Sequence, residues 1–100
     1  MSAEPVRRFL IAYDISDDRR RTRVAKCLQT YGDRVQYSVF VVDIRPARLV
    51  RLRTALEVLI HQHADSVLLC DLGPAASIDT RRFEFLGYSA EVTPHGPIVL

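Results

Sequence analysis

The chain has 100 residues, of which 48% are hydrophobic, so it can form one core and no second domain is expected. Its formal net charge of +2 is too small to identify a nucleic-acid partner by itself. No apolar run approaches membrane-spanning length, and Glu4 and Pro5 lie where a signal peptide needs basic and apolar segments. The sequence therefore argues against a membrane protein or a secreted one and predicts a cytoplasmic protein.

The positive charge is carried almost entirely by arginine, because Lys26 is the single lysine. Arginine binds phosphate or carboxylate at two points, but a GC-rich genome produces the same bias, so both explanations stay open. Cys27 and Cys70 lie in apolar surroundings and do not resemble a metal-binding pair. They predict two buried free thiols in a reducing compartment.

The first predicted element is an apolar strand that ends at a carboxylate. Residues Arg8–Asp14 form a continuous apolar run of strand length, which predicts a strand covered on both faces. Ser16 or Asp17 is expected to cap a helix that runs to Tyr31, and Gly32 is its natural stop. The strand-end carboxylate should therefore lie beside the start of a helix.

The first turns of this helix carry a cluster of arginines. The inward stripe of the helix, extended backwards, reaches Arg20 and Arg21, so these side chains are predicted to point towards Asp14. Cations in a first turn oppose the helix dipole and need carboxylates or a bound anion nearby. Two interpretations stay open: a salt-bridge cluster with Asp14, Asp17 and Asp18, or a phosphate-contacting edge beside a metal-binding carboxylate. The inward stripe itself consists of Val24, Cys27, Leu28 and Tyr31.

Three further elements follow in the chain. Residues Asp33–Asp43 alternate in strand fashion and contain no Gly, Pro or Asn, so no hairpin turn is predicted within them. Pro46 is expected at the first position of a second helix, which runs to about His61. Residues Ser66–Leu72 predict another strand, ended by Gly73. The inward stripe of the second helix consists of Leu49, Leu52, Leu56, Leu59 and Ile60.

The last part of the chain predicts one more strand and a tail. A short strand is expected over Arg82–Leu86, with Phe83 and Phe85 on one face. The tail, residues 88–100, ends in three apolar residues. These either fray or add a strand to the sheet of another chain.

The order of elements predicts an α+β sandwich in which two helices cover one face of an antiparallel sheet. The best match is a ferredoxin-like split βαβ domain over residues 1–87, with a C-terminal strand or tail over 88–100. That arrangement needs two strands between the helices, so Asp33–Asp43 would have to bend or bulge. Because the Ser66–Leu72 strand is apolar on both faces, we expect a homodimer joined through the sheets.

A set of motifs spans most of the chain. They are Tyr13–Asp18, then Arg21, Arg23 and Gly32, then Arg34–Phe40, and then Asp65–Val67. In order and spacing these motifs closely resemble the CRISPR-associated protein two family, the small adaptation subunit that is also described as a CRISPR-associated endonuclease. The resemblance covers nearly the whole chain up to Gly87.

The resemblance implies a ferredoxin-like homodimer in which Asp14 of each subunit binds one shared divalent metal, Mg²⁺ or another cation such as Mn²⁺. It implies endonuclease activity on single-stranded RNA or double-stranded DNA, and a complex with the CRISPR-associated integrase, the protein-one family, in spacer acquisition. The implied functional set is Tyr13, Asp14, Arg21, Arg23, Arg34 and Phe40. The arginines expected to hold nucleic acid are Arg19, Arg20, Arg21, Arg23 and Arg34.

Two alternatives to the nuclease stay open. One is a non-catalytic architectural dimer that holds duplex DNA and docks the integrase. The other is a small metabolite-binding module, although no glycine-rich phosphate loop supports it. His61 and His63 should diverge on the helix surface, so we expect them to serve the helix C-terminus and not to share a metal.

Overall fold

The chain forms a four-stranded antiparallel sheet with two helices, as seen in a computed structural model that describes residues 4–77 and 83–87. The elements are β1 (Arg7–Asp14), α1 (Asp18–Gln29), β2 (Asp33–Gln36), β3 (Val39–Ile44), α2 (Pro46–Leu59), β4 (Ser66–Pro74) and a 3-10 turn (Ala75–Ser77). The strand order is β2-β3-β1-β4. This is the ferredoxin-like arrangement, so the predicted fold class is confirmed.

The core lies between the two helices and one face of the sheet. The helix-facing side chains of β1 and β3 recur at every second residue, because successive side chains of a strand point to opposite faces, and Arg8 and Val41 are buried on the other face. On the helix-facing side the core consists of Phe9, Ile11, Tyr13, Ile15, Val24, Ala25, Leu28, Phe40, Val42, Ile44, Leu52 and Leu56. Leu49, Leu59 and Ile60 pack at its edge, which confirms the stripe predicted for the second helix.

The helix boundaries agree with the sequence signals to within about two residues. Asp17 caps α1, and its carboxylate accepts a hydrogen bond of 2.9 Å from the backbone N–H of Arg20. The helix ends at Gln29, two residues before the predicted end. Pro46 opens α2 as predicted, since its missing N–H is not needed there.

The prediction of an unbroken strand after α1 is wrong. β2 and β3 are antiparallel neighbours joined by a two-residue turn at Tyr37 and Ser38. Tyr13 of β1 holds this turn, because its backbone N–H donates to the Ser38 carbonyl at 3.0 Å and its hydroxyl donates to the Tyr37 carbonyl at 3.2 Å. Contacts from a distant strand thus replace the Gly or Asn that a hairpin turn usually requires.

The other face of the sheet is covered over β2 and β3. There Val35 and Val41 are buried beneath Phe83 and Phe85. Residues 83–87 contain no strand, so the short strand predicted at Arg82–Leu86 is not found in the part that is described. Its two phenylalanines do pack on one surface, as expected. The tail, residues 88–100, lies outside the described residues, and its predicted role stays a prediction.

Over β1 and β4 the same face is closed at Arg8, which is 1% exposed, and is open towards the other end of β1. Four apolar side chains line this open face: Leu10 pairs with Cys70, and Ala12 pairs with Leu68. Leu68 is 58% exposed, Cys70 is exposed, and the two β1 residues are half-buried. Within residues 4–77 and 83–87, therefore, Cys70 is not buried as predicted, and Leu10 and Ala12 are covered only in part.

Two smaller findings complete the description. Cys27 lies at the edge of the core, where burial raises the pKa of its thiol. In the described part of the chain, neither helix has the length and apolar character needed to cross a bilayer.

Gly32 lies where the loop after α1 passes close to β3. A Cβ atom at this position would collide with the Val41 carbonyl oxygen and lie 2.7 Å from Cγ2 of Val42. Glycine is therefore required here by close approach, and not by the left-handed conformation that commonly follows a helix.

We expect Gly32→Ala to lower the free energy of unfolding by about 1–3 kcal/mol, the usual cost of overpacking. Urea denaturation should show a lower midpoint with an unchanged slope. Gly73→Ala is the contrast, because a Cβ at Gly73 has no neighbour within 4 Å but its φ is +111°. It should cost about 1 kcal/mol from backbone strain alone. A Gly32→Ala protein as stable as the parent would contradict the close approach.

Candidate functional site

Asp14 ends β1 with its side chain exposed to solvent. It lies opposite Ser66 in the ladder between β1 and β4. Because side chains alternate along a strand, Asp14 shares the open face with Leu10 and Ala12, whereas Tyr13 points to the helices. Within residues 4–77 and 83–87 Asp14 makes no ion pair. It is thus a solvent-accessible carboxylate beside an uncovered apolar surface.

The donor chemistry of Asp14 suits a hard divalent cation, because Mg²⁺ prefers carboxylate oxygens and water. The described residues hold no group of three or more His, Cys, Asp or Glu side chains that could bind a metal ion. Among the described residues, Asp14 therefore offers a suitable ligand oxygen but belongs to no such group.

Tyr13, Arg34 and Phe40 form a contact network on the helix-facing side. Phe40 is fully buried, Tyr13 is 6% exposed, and their ring centroids lie 6.3 Å apart. The guanidinium carbon of Arg34 lies 5.2 Å from the Phe40 centroid, and Nη2 of Arg34 donates to the Tyr13 hydroxyl at 3.3 Å. The two buried rings are not placed to stack on bases, and the network fixes the end of β1.

Two arginines of α1 form ion pairs near the helix start. Arg20 binds Asp65 through Nε at 2.7 Å and Nη2 at 3.2 Å, and its Nη1 lies 4.0 Å from the Asp17 carboxylate. Arg21 pairs with Asp18. The salt-bridge interpretation is therefore confirmed for these arginines, but Asp14 takes no part in the cluster.

Arg19 and Arg23 lie on the outer side of α1 and are exposed. Neither forms an ion pair within the part of the chain that is described. Lys26 follows three residues after Arg23 and is also exposed, so the three cations, at spacings of four and three residues, form one basic stripe along α1. This stripe is available to bind phosphate groups.

A groove of about 310 Å³ lies between α1 and the turn that joins β2 to β3. Its described lining consists of Tyr13, Arg21, Thr22, Ala25, Lys26, Gln29, Arg34 and Tyr37. Tyr37 is 71% exposed, and the Arg21 guanidinium carbon lies 5.9 Å from its ring centroid. The structure thus brings Tyr13, Arg21 and Arg34 together at this groove, with Asp14 on the opposite face of the sheet.

Asp65 takes part in the observed ion-pair cluster but is not among the functional residues predicted from the sequence. Its side chain is fully buried, and it accepts hydrogen bonds from Arg20 and from the backbone N–H of His61 at 2.8 Å. The Arg20 guanidinium, with that N–H, holds the pKa of Asp65 below its ordinary range. The sequence feature that could have identified Asp65 is its position just before β4, within one of the motifs that resemble the family.

The two histidines follow the end of α2, and their predicted role at the helix C-terminus stays a prediction. Nδ1 of His61 accepts the backbone N–H of His63 at 3.3 Å, so this ring nitrogen does not cap the helix carbonyls. Their ring centroids lie 6.1 Å apart in an edge-on arrangement. They stabilise the local turn after α2.

The Asp65 ion pair should be visible in the pH dependence of stability. Because its pKa is lowered in the folded state, its stabilising effect is present above the ordinary aspartate pKa of about 4 and is lost as the pH falls through the lower folded value. Asp65→Asn should lower the free energy of unfolding at neutral pH and flatten its fall below about pH 4. Denaturant titrations across that range measure this.

The matched control is Glu57→Gln, which removes an exposed carboxylate from α2 and leaves the Asp65 pair intact. It should keep the pH profile of the parent. A profile for Asp65→Asn that stays parallel to the parent at acid pH would contradict the assignment.

A family model described as CRISPR associated protein Cas2 matches residues 7–77 of the chain. The chain is 39% identical over 97 residues to CRISPR-associated endoribonuclease Cas2 4 of Rhodospirillum rubrum, covering 97% of this chain and 76% of that protein. It is 43% identical over 97 residues to CRISPR-associated endoribonuclease Cas2 3 of the same organism, covering 92% of this chain and 99% of that protein.

Solved structures agree with the sequence matches. Cas2 of Streptococcus pyogenes, crystallised at pH 6.5, has a TM-score of 0.72 at 34% identity and covers 80% of this chain and 99% of its own. The hypothetical protein TT1823 from Thermus thermophilus has a TM-score of 0.72 at 32% identity, with 84% and 94% covered. Sequence, motif order and strand order all lead to one conclusion: the chain belongs to the CRISPR-associated Cas2 family.

Proposed function

We propose that the protein is a CRISPR-associated, divalent-metal-dependent endonuclease that cleaves phosphodiester bonds of single-stranded RNA, double-stranded DNA or both. The observation that carries the proposal is Asp14, an exposed carboxylate at the end of β1, the strand that leads into α1 and its basic stripe. The similar proteins of Rhodospirillum rubrum are named endoribonucleases, which supports a phosphodiester substrate.

The active form in this proposal is a homodimer joined through the open face. Leu68 is 58% exposed there, and burying apolar area is worth roughly 25 cal/mol per Å². A twofold interface uses the same surface of both subunits. Pairing the open faces would therefore bring Asp14 towards Asp14 of the partner subunit.

These two carboxylates would hold Mg²⁺ or Mn²⁺, which prefer oxygen ligands and take few carboxylates. When bound, such an ion polarises a phosphoryl oxygen and lowers the pKa of water. Asp14 supplies the ligand oxygens, and the cation relieves the repulsion between the paired carboxylates. Arg19 and Arg23 hold substrate phosphates by charge-assisted hydrogen bonds.

Tyr13, Arg34 and Phe40 act in this proposal as positioning residues. The hydrogen bonds from Tyr13 to the β2–β3 turn fix the residue that precedes Asp14. Arg34 and Phe40 pack against Tyr13 and restrict its ring. Arg20 is committed to Asp65, so it supports the helix start more than it contacts nucleic acid.

The basic stripe favours a second candidate function. Arg19, Arg23 and Lys26 are exposed along one side of α1 and could hold duplex DNA without cleavage. In that role the homodimer would be architectural and would bridge subunits of the CRISPR-associated integrase during spacer acquisition. Both functions are proposed for the cytoplasm, where the free thiols Cys27 and Cys70 would stay reduced.

Asp14→Asn separates the two candidate functions, because it removes a ligand charge with little change in volume. We expect metal-dependent cleavage of labelled RNA and duplex DNA to fall at least about 100-fold, since several kcal/mol of transition-state stabilisation is lost. Binding, measured by fluorescence anisotropy in EDTA, should stay close to that of the parent.

Glu57→Gln, purified in parallel, is the control for contaminating nucleases and should cleave like the parent. Equal cleavage by Asp14→Asn and the parent would remove the catalytic assignment and leave the architectural candidate.

Leu68→Asp tests the proposed dimer. It places a charge in each copy of the open face, and desolvating those charges costs several kcal/mol. The dimer dissociation constant should rise at least about 100-fold, with loss of metal-dependent cleavage. Light scattering after size-exclusion chromatography measures the mass. Val58→Asp, at a residue 80% exposed on α2, should leave the dimer intact. A parent protein that stays monomeric at all concentrations would contradict the proposal.

A further inference from the structure

We propose that the groove between α1 and the β2–β3 turn binds one nucleotide of a single-stranded nucleic acid, with its phosphate on Lys26 and Arg34 and its base on Tyr37. This inference rests on the proposed nuclease function. It adds a substrate-binding subsite on the helix side of the sheet, away from Asp14.

The charges around the groove favour an anion. Its described lining contains three cationic side chains and no carboxylate. The positive charge of Arg21 is compensated by its ion pair with Asp18, which lies just outside the groove. Lys26 and Arg34 have no carboxylate partner within the described residues, so two positive charges stay uncompensated there. Charge of one sign in a concave surface raises the local concentration of anions.

Arg34 is held ready for this role. The Phe40 ring packs against its guanidinium at 5.2 Å, and its Nη2 bonds to the Tyr13 hydroxyl at 3.3 Å. These contacts fix the guanidinium plane before a ligand arrives, which reduces the entropy lost on binding. Lys26 is exposed and flexible, so it can reach the opposite side of a bound phosphate.

Tyr37 provides a stacking surface for a base. The residue is 71% exposed although its ring is large and apolar. Arg21 lies over the ring at 5.9 Å, which leaves the ring accessible from the other side. Every base has a flat π-face, so stacking on such a ring tolerates any sequence. Proteins that bind single-stranded nucleic acids commonly combine an exposed aromatic side chain with nearby cations that have no carboxylate partner.

The size and polar walls of the groove suit a single nucleotide. Its volume of about 310 Å³ is at the small end of ligand pockets. The Thr22 hydroxyl and the Gln29 amide lie on the α1 wall and can hydrogen-bond a ribose hydroxyl or a base edge. Ala25 lies between these two residues, and its small side chain leaves space in the groove for a ligand.

Tyr13 connects the groove to the proposed catalytic carboxylate. Its side chain lines the groove, and Asp14 is the next residue, with a Cα–Cα distance of about 3.8 Å. A strand with one nucleotide in the groove would cross the end of β1 and bring a neighbouring phosphate towards Asp14. A base inside a duplex cannot stack on Tyr37 without leaving its own helix. The groove should therefore favour single strands.

The direct test is a titration followed by nuclear magnetic resonance on isotope-labelled Asp14→Asn protein, which should not cleave its ligand. The probes are inorganic phosphate, uridine 5′-monophosphate and a short oligouridylate. We expect both nucleotide probes to shift signals of Thr22, Lys26, Gln29 and Tyr37, and the oligonucleotide to bind more tightly. Shifts that avoid the groove, or binding of the mononucleotide without the oligonucleotide, would overturn the proposal.

Variants of the groove give the second test. Lys26→Ala and Tyr37→Ala should each weaken oligonucleotide binding about tenfold, as expected for one phosphate contact or one stacked base. In cleavage assays the effect should fall on KM more than on kcat. Tyr37→Phe keeps the ring and should restore binding. Arg53→Gln, which removes an exposed cation from α2, is the control and should bind like the parent.

The two proposals fail in different ways. If Asp14→Asn abolishes cleavage while Lys26→Ala and Tyr37→Ala bind and cleave like the parent, the groove assignment is wrong and the nuclease assignment stands. If the parent does not cleave but the oligonucleotide still shifts the groove signals, the nuclease assignment is wrong and the groove stands.

Discussion

The alternation of side chains along β1 is the constraint on which the candidate site depends. Phe9, Ile11 and Tyr13 point to the helices and are buried, so the strand is held by the core along its whole length. The next side chain, Asp14, must then point to the opposite face. Its exposure is therefore a consequence of core packing, and no ion pair from the described residues compensates its charge.

Burial explains which parts of the fold the sequence predicts. The stripes of α1 and α2 and the apolar runs of β1 and β4 are visible because one face of each must be apolar to form the core. The turn at Tyr37 and Ser38 was not predictable from local chemistry, since neither residue favours a hairpin. It depends on hydrogen bonds from Tyr13, which lies 24 residues earlier in the chain than Tyr37.

The types of residue in the candidate site were predictable from the sequence, but the ion pairs between them were not. The arginine cluster at the start of α1 indicated that carboxylates must be near, because cations oppose the helix dipole there. The sequence could not identify Asp65 as the main partner, since 45 positions separate it from Arg20 and only the fold brings the residue before β4 to the start of α1. However, successive side chains of a strand point to opposite faces of the sheet. The placement of Tyr13 and Asp14 on opposite faces could therefore have been predicted.

In the proposed site, nucleotide binding would need one chain, whereas metal binding would need the dimer. All described residues of the groove belong to one chain, so binding of a nucleotide would not require a partner subunit. The metal ligands, by contrast, would be split between Asp14 and Asp14 of the partner subunit. A cation that binds the dimer but not the monomer stabilises the dimer by mass action, and dilution weakens cation binding for the same reason. In the proposed enzyme, cleavage would therefore depend on protein and metal concentration together, whereas substrate binding at the groove would depend on neither.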